Sequence, residues 1–254
     1  MIWSGSFEQV AVQVYENRKL MGQAAADRAA EIINKVLTEK NSVNIIFAAA
    51  PSQNEFLEAL IKNIEIKWEH INGFHMDEYL GLAADAPQGF GNFLRKRLFN
   101  KMPFGSVHYI NSQAENPEDE CRRYNDLLRK YPVDLVCMGI GENGHIAFND
   151  PHSANFDDPE SVKVVTLDDA CRMQQVNDGC FSTFSDVPDL AITLTIPALF
   201  AAPNIVCVVP GILKAPAVKT ALLEPVTITC PASIMKRHPA VNLYLDNDSG
   251  DFLT

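Results

Sequence analysis

Residues 43–50 (VNIIFAAA) and 134–140 (DLVCMGI) are apolar almost without a break, and both runs are too short for an ordinary buried helix. A strand with one face in water alternates apolar and polar side chains, whereas a strand covered on both faces does not. Both runs therefore read as strands buried above and below. Residues 68–76, 107–111, 162–167, 190–196, 204–209 and 241–245 read as further strands. Between them, residues 20–37, 90–99, 117–131 and 213–223 carry helical spacing, with Pro216 in the first turn of the last. Ser52, with Glu55 three residues on, predicts a capping box for a helix ending at residue 60. This alternation predicts an α/β chain, Rossmann-like, with a mostly parallel sheet flanked by helices on both faces.

The chain has 254 residues and no repeat, low-complexity tract or linker, so residues 1–254 are expected to form a single domain. A domain of this size buries roughly 70–75% of its unfolded surface and needs no metal or disulfide to fold. The formal charge of −11 argues against nucleic acid and anionic membranes as partners, but leaves room for a locally basic pocket. The six cysteines are scattered, without a CxxC pair. No basic segment followed by an apolar stretch opens the chain, and no apolar run approaches the roughly 20 residues of a membrane span. A cytoplasmic protein is the expectation; a homo-oligomer is compatible with the sequence but not read from it.

Two segments break abruptly from apolar runs into acids, glycines and a histidine: residues 74–82 (FHMDEYLGL) and 139–151 (GIGENGHIAFNDP). Open α/β sheets bind ligands outside the carboxyl ends of their strands, where both segments fall. Asp77 and Glu78 are adjacent, so one carboxylate can face a pocket while the other braces the loop. A shielded carboxylate there suits a general base; a helix cap or surface turn is the plainer alternative. His145, with Asp150 five residues on, suits proton transfer near neutral pH, or else a purely structural hydrogen bond. The glycines are not taken as a dinucleotide fingerprint, and no P-loop, GxSxG elbow or HExxH pair occurs.

Together the two segments resemble the glucosamine-6-phosphate deaminase/isomerase family, which carries Phe-x-(Met/Leu)-Asp-Glu-Tyr-x-Gly-Leu and Gly-x-Gly-x-(Asp/Asn)-Gly-His-(Ile/Leu)-Ala-Phe-Asn-(Glu/Asp)-Pro. A weaker resemblance runs through residues 191–196, residues 211–214, and His238 with Pro239. The resemblance implies a Rossmann-like fold and conversion of an amino-sugar phosphate, glucosamine 6-phosphate or a close epimer, to the ketose phosphate and ammonia. It puts the C2-to-C1 proton carrier on Asp77, the ring-opening histidine on His145, its supporting carboxylate on Asp150, and an active-site role on Asn143. Substrate and phosphate contacts fall on Ser52, Gln53, Gly144 and Lys214. No cofactor and no metal is implied. Alternatives on the same scaffold are 6-phosphogluconolactonase-like or galactosamine-6-phosphate isomerase activity, and, from another class, a non-catalytic sugar-phosphate sensor.

Departures from the family pattern qualify the resemblance. Asn143 stands where members often carry Asp, so charged support for His145 falls to Asp150, with Glu142 nearby. The phosphate loop, commonly Ala-Thr-Gly-Ser-Thr-Pro, is here Ala48-Ala49-Ala50-Pro51-Ser52-Gln53, without its glycine and with one hydroxyl. Arg172 aligns with a different family arginine from the one expected at the phosphate. Beyond the histidine loop, Asp157, Asp158 and Glu160 outnumber Lys163, which predicts no activation by an acetylated sugar phosphate. Residues 151–161 read as a solvated connection in preference to a mobile lid.

Overall fold

The computed structural model describes all of residues 1–254. Chain order is β1 (Trp3–Phe7), β2 (Val10–Tyr15), α1 (Arg18–Glu39), β3 (Val43–Phe47), α2 (Asn54–Leu60), β4 (Ile71–His75), β5 (Asp77–Tyr79), α3 (Phe90–Leu94), β6 (Ser106–His108), α4 (Pro117–Lys130), β7 (Leu135–Met138), β8 (Val162–Thr166), α5 (Asp169–Asn177), β9 (Leu190–Leu194), α6 (Ile196–Phe200), β10 (Ile205–Val209), α7 (Ala215–Leu223) and β11 (Val241–Asp246). Eight strands form one sheet in the order β1-β2-β11-β10-β7-β3-β4-β6. Only the β1–β2 hairpin is antiparallel; every other neighbouring pair is parallel. A second, antiparallel sheet has the order β5-β9-β8.

The apolar runs behave as their lack of alternation requires. Ile45 and Phe47 share one core with Leu135, Cys137, Val206 and Val208. Ile46 lies in the other with Val136, Met138, Cys207 and Val209. Helix α1 adds Ala25, Ala29 and Ile33 to the first core. Tyr124 of α4 and Val218 of α7 belong to the second. Gly22 lets α1 approach α2 closely: a Cβ there would lie 2.7 Å from the Glu55 backbone carbon.

From β3 the chain steps outward to β4 and β6, then returns to place β7 on the other side of β3 and continues to β10 and β11. The crevice beyond the carboxyl ends of β3 and β7 is therefore the topological switch point. Residues 48–53 and 139–150 leave the sheet there.

Several elements depart from expectation. The β1–β2 hairpin was not anticipated, because its turn lacks the usual glycine or asparagine; Glu8 itself takes φ +51°. The 68–76 run divides: a single 3₁₀ turn spans Trp68–His70, β4 ends at His75, and the chain crosses at Met76 into the second sheet, where Asp77 pairs with Thr193. Ser52 caps no helix. Pro51–Gln53 forms a 3₁₀ turn without a side-chain cap, which places Ser52 inside the turn, and Glu55 pairs with Arg18 at 3.0 Å. Helices α5 and α6 are additions. The 151–161 connection is pinned where the Lys163 ammonium donates to Ser153 O and Asp158, both at 2.8 Å.

Candidate active site

A cleft opens at the switch point, lined from the β3 loop by Ser52 and Gln53, from the sheet crossing by Asp77, and from the β7 loop by Gly141 and His145. Gln174 and Gln175 of α5 complete its polar wall. Sequence reasoning missed both, because α5 is a polar helix without apolar spacing; the Asp168 N-cap, whose carboxylate accepts from Cys171 N at 2.6 Å, and the Gly179 stop at φ +72° were its readable signals.

Asp77 is 6% exposed and lies among Met76, Phe90, Ile140 and Phe148. Burial, reinforced by the Glu78 charge, pushes its carboxyl well above the usual carboxylate range. Glu78 points elsewhere and accepts three backbone N–H groups: Tyr79 at 3.0 Å, Phe90 at 2.9 Å and Gly91 at 2.8 Å. It ties the start of α3 to the sheet crossing. Burial raises its carboxyl to about 7, and those N–H groups oppose the rise. The adjacent acids thus divide as expected, one facing the cleft and one bracing the loop. His75 braces the crossing from below: Nδ1 meets Asp77 O at 2.9 Å and Nε2 accepts from Ile110 N at 2.9 Å. Burial lowers this imidazole to about 4, so it is neutral at physiological pH.

The β7 loop turns back through Gly144 at φ +83° and Ala147 at φ +49°. A Cβ at Gly144 would lie 2.8 Å from Cys230 Sγ, and its carbonyl accepts from Ala232 N at 2.8 Å. Gly144 therefore shapes the loop and does not line the cleft. A Cβ at Gly141 would overlap the His145 ring, which packs against that glycine. Gly139, Gly141 and Gly144 do stand in G-x-G-x-x-G spacing, but a turn follows and no helix opens there, so the dinucleotide-binding context is absent.

Asp150 Oδ1 lies 3.0 Å from His145 Nδ1. The ring N–H points off this line, leaving a close electrostatic contact without a well-aligned hydrogen bond. With Nδ1 turned to Asp150, Nε2 is the nitrogen available to a substrate. Burial pushes the Asp150 carboxyl up, but His145 and Asn143 outweigh it and the net shift is downward. Asn143 links the group: its oxygen accepts from His145 N at 3.0 Å, and its amide donates to Asp150 at 3.0 Å and Asp168 at 3.2 Å. An amide suits this position because two carboxylates face it.

Asp77, His145, Ser52 and Gln53 therefore share one cleft, with Asp150 and Asn143 directly behind His145. Lys214 lies in an adjoining hollow, its ammonium 3.8 Å from Glu142 and without a hydrogen bond. Burial lowers it against the pull of Asp178 and Glu142. Arg172 is structural: it pairs with Asp189 at 2.8 Å, donates to Val187 O at 2.8 Å and covers the Phe184 ring. His145, Asp150 and Cys171 are close enough to hold a metal ion, but the apolar walls and the approach of Asp150 to His145 equally suit a metal-free acid–base pair.

Residues 16–244 match the family model described as glucosamine-6-phosphate isomerases/6-phosphogluconolactonase. A glucosamine-6-phosphate deaminase of Listeria monocytogenes is 34% identical over 230 residues, covering 91% of this chain and 96% of the relative. One from an Exiguobacterium strain is 37% identical over 187 residues, 74% of this chain and 72% of the relative. The structure of a monomeric glucosamine-6-phosphate deaminase superposes with a TM-score of 0.86 at 27% identity, covering 94% of this chain and 98% of that one. A 6-phosphogluconolactonase from Thermotoga maritima shares the fold, with a TM-score of 0.76 at 18% identity over 93% of this chain and 99% of that one. The fold, its switch-point cleft and the match across nearly the whole chain agree: this chain belongs to the glucosamine-6-phosphate isomerase/6-phosphogluconolactonase family.

Proposed function

We propose that the chain is an enzyme of the glucosamine-6-phosphate deaminase type, converting glucosamine 6-phosphate or a close epimer to the ketose phosphate and ammonia. One observation carries the division of labour: a buried Asp77 carboxylate shares a cleft with a His145 ring backed by Asp150. His145 Nε2 moves a proton from the anomeric hydroxyl to the ring oxygen, opening the sugar. Asp77 takes the C2 proton and returns it to C1, while O1 gains the proton that the C2 amino group gives up. The C2 nitrogen is then an imine carbon's substituent, and water replaces it, releasing ammonia and leaving the ketone. Asp150 and Asn143 position His145. The names of the curated relatives favour this reading over the lactonase, for which the likeness is one of fold.

The cleft draws on both sheets, which supports treating residues 1–254 as one catalytic unit. The six cysteines are free, five of them buried, which suits a reducing compartment, and a cytoplasmic setting is part of this proposal. No helix is long and apolar enough to cross a membrane.

Ammonia and ketose release from a panel of amino-sugar phosphates tests the proposal. Asp77→Asn is expected to lower kcat/KM by about 10²-fold or more. Undiminished turnover in that variant would remove Asp77 from the chemistry, and an inert wild-type protein would remove the activity.

A further inference from the structure

Three carboxamides line the cleft, from Gln53, Gln174 and Gln175. Two of them are committed within the protein. The Gln53 amide donates to Val208 O at 3.1 Å and to Ser52 Oγ at 3.2 Å. Gln174 Oε1 accepts from Glu142 N at 2.8 Å, and its amide donates to Asp178 at 3.3 Å, so Gln174 ties α5 to the β7 loop. Its neighbour Gln175 projects about 100° further round the helix and joins neither contact. The Gln175 side chain has no hydrogen-bond partner, and neither its Oε1 nor its Nε2 is sealed from solvent. The residue is only 6% exposed and borders the cleft, so the open part of its carboxamide faces that cavity. Its backbone is fixed where α5 closes: Gln175 O accepts from Cys180 N at 2.9 Å. The amide is therefore in place before a ligand arrives, which reduces the ordering cost of binding.

A carboxamide offers two N–H donors and one acceptor oxygen. A hydroxyl both donates and accepts, and so can meet both ends of the amide. A phosphate only accepts, and would set negative charge against Oε1. Gln175 thus suits a hydroxyl of the sugar and leaves the phosphate to other groups. In the proposed reaction His145 serves the C1 oxygen and the ring oxygen, Asp77 serves C2, and O6 carries the phosphate. The hydroxyls on C3 and C4 are the ones left without a protein partner.

We infer that Gln175 is a substrate-binding residue whose carboxamide holds a hydroxyl that the chemistry does not consume, at C3 or C4 of the amino-sugar phosphate. The inference rests on the deaminase reading of Asp77 and His145 and adds to it a residue that reads the sugar itself.

The test measures kcat/KM for ammonia release from glucosamine 6-phosphate and galactosamine 6-phosphate, and from the 3-deoxy and 4-deoxy forms of the preferred epimer. The proteins are the wild type and Gln175→Met, which is close in volume and lacks the amide. The wild type is expected to lose about 10- to 100-fold on one deoxy analogue. Gln175→Met is expected to lose a similar factor on the intact sugar, and less than about threefold more when that hydroxyl is removed, because its partner is already gone. Coupling to the 4-deoxy analogue comes with a narrowed preference between the epimers, which differ at C4; coupling to the 3-deoxy analogue leaves that preference intact. Each comparison is between sugars on one protein, so a partly destabilised variant still reports the coupling. A deoxy penalty of the same size in both proteins overturns the inference and leaves the deaminase reading standing. A wild type indifferent to both deoxy analogues does so without any variant. A wild type inert toward both epimers overturns the deaminase reading and the inference with it.

Discussion

At the scale of single residues, Asp77 and Glu78 show how position alone separates two carboxylates. Glu78 is satisfied by three backbone N–H groups, whereas burial drives Asp77 upward. As the proposed base, Asp77 must be ionised to act, so the acid limb of kcat/KM is expected above the ordinary carboxylate range, with rate falling about tenfold per pH unit below it. A pH–rate profile with its limb near the ordinary aspartate value of about 3.9 would refute this. A group whose folded pKa is raised contributes stability below its unfolded pKa and loses it as pH rises through the folded value. Asp77→Asn is therefore expected to raise Tm at neutral pH, a gain that vanishes below the ordinary carboxylate pKa. Asn143 is the second such case. Asn143→Asp would exchange an amide donor to Asp150 and Asp168 for a third negative charge. It is expected to cost roughly 1–3 kcal/mol, read by denaturant unfolding. An unchanged or raised stability would show that the amide bridge contributes nothing.

At the scale of elements, the strands buried on both faces were legible because uninterrupted apolar runs leave few alternatives. Elements placed by tertiary pairing were not. β5 is three residues long and exists because β9 lies ready to pair with it. α5 is polar, so Gln174 and Gln175 gave no sign of reaching the cleft. The β7 loop is the most tightly specified element: Gly141 must be bare because the His145 ring covers it. With His145 as the proposed proton-transfer group, Gly141→Ala is expected to displace that ring and lower kcat by about 10²-fold with a smaller change in KM, because misplacing such a group penalises the reacting geometry first. Near wild-type kcat would mean that the ring does not act from this position.

At the scale of the whole molecule, strand order brings the β3 loop, the sheet crossing and the β7 loop to one crevice. Acidic charge continues past the β7 loop, where Lys163 is already committed to Ser153 and Asp158. Rate curves are therefore expected to stay hyperbolic and unchanged when N-acetylglucosamine 6-phosphate is added; activation would contradict this. The sequence by itself determined the α/β class and most strands, because burial patterns are local properties of a chain; it offered Asp77 and His145 as candidates, and the family resemblance joined them in one site. Only the tertiary structure decided which carboxylate faces the cleft, that Asn143 bridges two acids, that Lys214 lies in a neighbouring hollow, and that Gln175 turns a free amide to the cleft. Each of those depends on what a distant segment brings within hydrogen-bond reach, and sequence spacing does not encode that distance.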